Sequence, residues 1–290
     1  MLIRLPASLK DDLDWSSQKA LAHEFTEKGV SILWHLDFGI TPESFNPYET
    51  AHFFSYTLAI EQFLKIFWPE FQDKTIGLCL YEGSLKFSLK KTEKISQVFD
   101  EFSQDYNEKF AQEDLFELFS INLFSEYLHR LASFLPDNLS PYCILDLSYQ
   151  KNQAKLAQFL SKRRFEHFQL IVKGARIPIR EKSFPPLGIC LPTDEKLTPA
   201  AIKQLEGALN HLIENNVHFR IISEETLNEE WLELEELLIF PELLTSQGKR
   251  MLKGFEAAGG TLKEIGAEGF EPPTHCSQSS CASQTALCSD

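Results

Sequence analysis

Three carboxylates stand where apolar runs give way to polar ones: Asp37 in LWHLDFG, Glu82 in CLYEG and Asp146 in CILDLSY. Glycoside hydrolysis uses such groups in pairs, one carboxyl that protonates the leaving oxygen and one carboxylate that acts as nucleophile or base. In that chemistry Glu82 is the expected acid, with Asp146 or Asp37 as its partner. Acidic residues after strands also cap helices and fix loops, and that reading stays open for all three. His35 precedes Asp37 by two residues, so on a strand both point to one face; a buried histidine bonded to a neighbour is the plainer reading. Lys173, closing FQLIVKG, reads as a strand-end charge or as a lysine in a pocket. No phosphate-binding glycine loop, Ser/His/Asp set or HExxH pattern accompanies them.

Strand-end side chains need strands to carry them. Residues 31–38, 75–81, 142–147 and 168–173 are short apolar runs followed by polar or glycine-bearing residues, and longer helical patterns separate them. That alternation implies an α/β fold with a largely parallel sheet. Asn46 as cap, Pro47 at the first helical position and Glu49 predict a helix that stops at Pro69. Phe116, Phe119, Leu123, Tyr127 and Leu131 recur at spacings of three and four and predict a second, core-facing helix over about residues 114–134. If residues 1–175 are barrel-like, functional side chains belong at the carboxyl ends of the strands. A full barrel takes eight strands, so either more lie hidden, for instance within residues 86–97, or the barrel is partial.

Residues 176–186 (RIPIREKSFPP) mix charges with three prolines and read as an interdomain linker. The pattern restarts over residues 187–266. LGICLPTD reads as a strand, Thr198-Pro199 caps a helix bearing Ile202, Leu205, Leu209 and Leu212, and two further strands follow. A helix from Thr245 to Ala258 is closed by Gly259-Gly260, which suits a left-handed stop before a last strand.

The chain carries 28 basic against 42 acidic residues, a formal charge of −14, which repels phosphate backbones and argues against nucleic acid. Lys162-Arg163-Arg164 reads as a solvated helix end. No run approaches the ~18 apolar residues of a spanning helix, and Pro6 with Lys10-Asp11-Asp12 interrupts any signal-peptide core. No membrane association and a cytoplasmic location are therefore expected. Cys79, Cys143 and Cys190 lie inside apolar runs, as small hydrophobes do in a reducing compartment. No cofactor and no metal are expected.

Residues 236–262 (ELLIFPELLTSQGKRMLKGFEAAGGTL), after VHFRIISEETL, resemble the class I glutamine-amidotransferase-like module, especially the one that follows the barrel in β-galactosidase-type glycosidases. Pro241, the helix to Ala258 and Gly259-Gly260-Thr261 occupy the places of that family's strand end, helix and glycine pair. The resemblance implies a flavodoxin-like second domain, cut short, without an assignable nucleophilic cysteine, that serves assembly into a homo-oligomer. It also implies a glycosidase-like first domain acting on a saccharide. The competing expectation is a non-catalytic interaction or scaffold protein with a degenerate glycosidase-like fold. Residues 267–290 hold His275, Cys276, Cys281 and Cys288, which look like zinc ligands. The segment also resembles an antisense translation of a proline transfer-RNA gene, which would make it non-native, disordered, free of zinc and dispensable.

Overall fold

Parallel strands are covered on both faces and therefore read as unbroken apolar runs; ILWHL, GLCLY and YCIL are such runs. The computed structural model describes residues 1–6, 14–90, 92–106, 112–148, 156–157, 160, 168–173, 187–192, 198–231 and 234–265. The linker expected at residues 176–186, the cluster at residues 162–164 and the tail at residues 267–290 lie outside them. The strands are β1 (Leu2–Pro6), β2 (Ile32–Asp37), β3 (Thr75–Ser84), β4 (Ser140–Asp146), β5 (Gln169–Val172), β6 (Leu187–Leu191), β7 (Phe219–Ser223), β8 (Glu236–Ile239) and β9 (Thr261–Glu264). The helices are α1 (Ser16–Glu27), α2 (Thr50–Ile66), α3 (Trp68–Phe71), α4 (Glu93–Tyr106), α5 (Gln112–Ala132), α6 (Pro199–Glu214), α7 (Leu227–Glu230) and α8 (Ser246–Ala257).

The fold is α/β, with one mostly parallel nine-stranded sheet in the order β1-β2-β3-β4-β5-β7-β6-β8-β9. The first five strands stand in chain order and run parallel; β5 and β7 are antiparallel, and the remaining pairs are parallel again. Among the described residues no pairing joins β1 to β9, so the strands end in two edges where barrel closure would need a ladder. The segments expected as two domains share this one sheet. Among the described residues of 86–97 there is no strand, and α4 begins inside the range at Glu93. β1 is a fifth strand in the first half, beyond the four expected.

One face of the sheet is covered throughout by helices. Ile3, Leu5, Trp34, Leu36, Leu78, Leu80, Cys143 and Leu145 meet Ile60 and Phe63 of α2, Phe119, Phe124 and Leu128 of α5 and, further along, Leu205, Leu209 and Leu212 of α6. Its centre is aromatic: the Trp34 ring lies 5.8, 5.0 and 5.6 Å from Phe63, Phe67 and Phe71, and its indole N–H donates to Thr75 Oγ1 at 3.0 Å. Such ring pairs are each worth about 0.5–1.5 kcal/mol beyond area burial. On the opposite face α8 covers only the second half, where Phe255 and Leu252 pack with Cys190, Ile222, Leu237 and Ile239.

Three expected helix starts differ in outcome. Thr198 and Thr245 cap α6 and α8 as their sequences suggest, accepting from the N–H groups of Ala201 and Gly248. Asn46 instead closes a turn by accepting from the Tyr48 N–H, and α2 starts later, at Thr50. After Ala258, Gly259 takes φ +100°, the expected left-handed stop.

Gly77 of β3 lies against Tyr142 of β4: a Cβ there would fall 2.2 Å from the tyrosine ring and 2.4 Å from the Ser140 carbonyl oxygen. Gly77→Ala should therefore destabilise the fold by about 1–3 kcal/mol. Gly207→Ala, at an exposed position of α6 with open space at the Cβ position, should stabilise it by about 0.5–1 kcal/mol. Chemical denaturation of the two variants checks the contrast, and a neutral Gly77→Ala would refute the packing described.

Candidate functional site

Alternate residues of a strand share a face, and register locates the ones that meet. Leu2 pairs with Leu33, Arg4 with His35, and His35 with Cys79. In β3 the ladder then slips: Cys79 faces Tyr142, but Tyr81 faces Cys143, so Leu80 is an extra residue. Such a bulge exchanges the faces of all that follow it. Tyr81 consequently turns into the helix-covered core, 4.6 Å from the Phe124 ring, while Glu82 joins Cys79 and Ile144 on the opposite face.

On that face Leu2, Leu33, Cys79, Tyr142, Ile144 and Ile171 form a small apolar layer. Beyond it, toward the carboxyl ends, the first five strands contribute charged or ionisable side chains: Arg4, His35 and Asp37, Glu82, Asp146 and, directly after β5, Lys173. Arg4 donates to Glu82 Oε2 at 2.6 Å, and His35 Nδ1 stands 3.7 Å from the same oxygen. Lys173 Nζ lies 3.9 Å from Glu82 Oε1 and 3.7 Å from Asp146 Oδ2. The two carboxylate oxygens are therefore at most 7.6 Å apart, the sum of those distances. The side chains of Glu82, Asp146 and Lys173 keep 15, 18 and 24 % of their exposure, so the cluster borders solvent rather than being sealed from it.

The sequence-predicted residues separate accordingly. Glu82 and Asp146 come together across Lys173. Asp37 is exposed, and its Oδ1 accepts from the Gly39 N–H at 2.9 Å, the loop-fixing role that acidic strand ends often have. Asp146 Oδ1 accepts from the Ser148 N–H at 3.0 Å in the same manner, leaving Oδ2 for Lys173. Arg4 was not anticipated; the alternation of LIRLP, with Leu2 and Arg4 on one face, was the available signal. Lys173 is no isolated strand-end charge, because two carboxylates face it.

Burial holds the His35 imidazole below its ordinary value of 6.5; Glu82 pulls it up, Arg4 down and Asp37 up. Beneath it, burial pushes the Cys79 thiol up to about 12 and raises that of Cys143 well above its ordinary range. A thiol so held is not a nucleophile at neutral pH, and these cysteines act as small core residues. Among the described residues, no group of three or more His, Cys, Asp or Glu side chains is arranged to hold a metal ion, and no helix is long and apolar enough to cross a membrane. No family model, curated protein or solved structure compared with the chain matches it.

A histidine that is harder to protonate in the folded chain than in the unfolded one contributes stability above about pH 6.5, which is lost as the pH falls through that value. His218, lowered by burial and by Lys173, adds to the same slope. His35→Asn should therefore lose less of its denaturation midpoint than the wild-type chain between about pH 7.5 and pH 5.5. Identical pH dependence would contradict the burial described for His35.

Proposed function

We propose that the chain is a carbohydrate-active protein of glycoside-hydrolase type, with Glu82 and Asp146 as the reacting pair. One observation carries the reading: two carboxylates from adjacent parallel strands open toward solvent at the carboxyl ends, no more than 7.6 Å apart. Retaining glycosidases hold such groups about 5–5.5 Å apart and inverting ones about 6.5–9.5 Å. Glu82 is assigned as the acid and Asp146 as its partner, as the sequence suggests. Arg4, His35 and Lys173 converge on Glu82, and Lys173 also faces Asp146. Asp37 takes no part in the reaction on this reading; it fixes the loop after β2.

The first five strands, in chain order with their helices on one face, support a partial barrel of the kind expected. The order β7-β6-β8-β9, with α6 and α8 on opposite faces, supports a doubly wound, flavodoxin-like unit. We assign that unit to assembly, including self-association, rather than to chemistry.

A second reading has its own support. Lys173 lies between the two carboxylates, where a scissile bond would have to enter, and Arg4 already satisfies Glu82. A scaffold protein that keeps the fold and uses the ion pairs to tie strand ends together fits that observation.

A panel of 4-nitrophenyl glycosides separates the two. The hydrolytic reading predicts turnover that falls about 10²-fold or more in Glu82→Gln and in Asp146→Asn, and by less than about 5-fold in Asp37→Asn. No turnover of any member, or turnover indifferent to Glu82 and Asp146, would leave the scaffold reading standing.

A further inference from the structure

Helix α2 turns one side to the sheet, where Thr57, Ala59, Ile60 and Phe63 are buried. Its outer side carries large apolar groups as well. Phe54 and Leu58, one turn apart, keep 70 and 45 % of their exposure, and Phe134, just beyond α5, keeps 44 %. Phe54 and Phe134 line an open groove of about 630 Å³ together with Thr50, Phe53, Thr57 and Glu61. Contiguous apolar groups left in water on this scale mark interaction sites.

The walls of the groove are held in place by their own contacts. The Arg130 guanidinium stacks on the Phe53 ring at 4.4 Å, and Tyr127 and Phe134 meet the same ring edge-on at 5.4 and 6.3 Å. Charge then selects the occupant. Glu61 is the one charged residue lining the groove, and it takes part in no ion pair among the described residues. A second copy of the chain would bring its own charge of −14 and a second Glu61, and anionic lipid would be repelled likewise. A cationic group beside the apolar one completes the surface. Phe54 and Leu58 lie one turn apart on α2, so a helix laid alongside meets them with side chains at the same spacing.

We propose that this groove docks an amphipathic helix of another protein, which seats apolar side chains between Phe54 and Phe134 and sets a lysine or arginine beside Glu61. The groove lies on the helix-covered face of the sheet, whereas Glu82 and Asp146 open on the other. The inference is therefore independent of the saccharide reading, and a docked partner leaves the carboxylate pair accessible.

The test presents the full chain to a phage-displayed library of random 16-residue peptides and measures the enriched peptides, made synthetically, by fluorescence anisotropy. They should carry apolar residues three and four positions apart together with lysine or arginine. Their Kd should weaken about 10-fold or more in Phe54→Ala and Phe134→Ala, and about 5-fold or more in Glu61→Lys and on raising the salt from about 0.05 to 0.5 M. Phe54 is exposed enough that Phe54→Ala keeps the fold, which an unchanged denaturation midpoint checks, so this variant decides the matter if Phe134→Ala fails to fold. No enrichment, enriched peptides that are acidic, or a Kd indifferent to Phe54 and Glu61 overturns the proposal. Sedimentation velocity supplies a further outcome: wild-type dimers that Phe54→Ala dissociates would give the groove to a second copy and overturn it too.

Discussion

The extra residue at Leu80 is the constraint on which the site depends. Upstream of it β3 follows simple alternation, Leu78 into the helix-covered core and Cys79 to the other face. Without the slip, Tyr81 would follow Cys79 and Glu82 would be driven into the aromatic core. A carboxylate there would lie among Phe87, Phe124 and other apolar side chains, at a desolvation cost of several kcal/mol. With the slip, Tyr81 fills the core and bonds back to the Ser84 carbonyl, while Glu82 meets Arg4, His35 and Lys173. One backbone irregularity therefore satisfies the core and builds the cluster together.

The cluster's electrostatics follow from its position at the border of the sheet. Fully buried ion pairs lose much of their attraction to desolvation, and fully exposed ones to water and salt. Glu82, Asp146 and Lys173 occupy the range between, with 15, 18 and 24 % of their side-chain exposure kept. The flanking strands matter for the same reason. Antiparallel pairing of β5 with β7 puts Phe219 opposite Val172, which fixes the end of β5 and so the point from which Lys173 departs. Lys173 N donates to the Leu145 carbonyl at 2.9 Å, binding that departure to β4 as well.

Much of this was legible in the sequence, in ways that can be traced to particular residues. The apolar runs of β2 to β5 announced themselves because buried parallel strands have no polar face to disguise them. Thr198, Thr245 and Gly259 signalled helix ends because each does so through its own side chain or its lack of one. Strand-end position picked out Asp37, Glu82 and Asp146 alike and did not separate the exposed Asp37 from the two that meet across Lys173. Arg4 escaped because a five-residue edge strand offers only two or three side chains on each face to read. The start of α2 was misjudged because an Asn-Pro pair caps turns as readily as helices. The bulge at Leu80 left no mark at all: LCLYEG is equally compatible with unbroken alternation, and only pairing with β4 decides which face Glu82 takes.

The central claim is that Glu82 and Asp146 form an open pair for a saccharide, with Lys173 standing between them only until one binds. Crystals soaked in the sugar panel test it most directly. The account predicts sugar density within hydrogen-bonding distance of both carboxylates and Lys173 Nζ moved out of the space between them. Lys173 unmoved, with any bound sugar elsewhere, would contradict it.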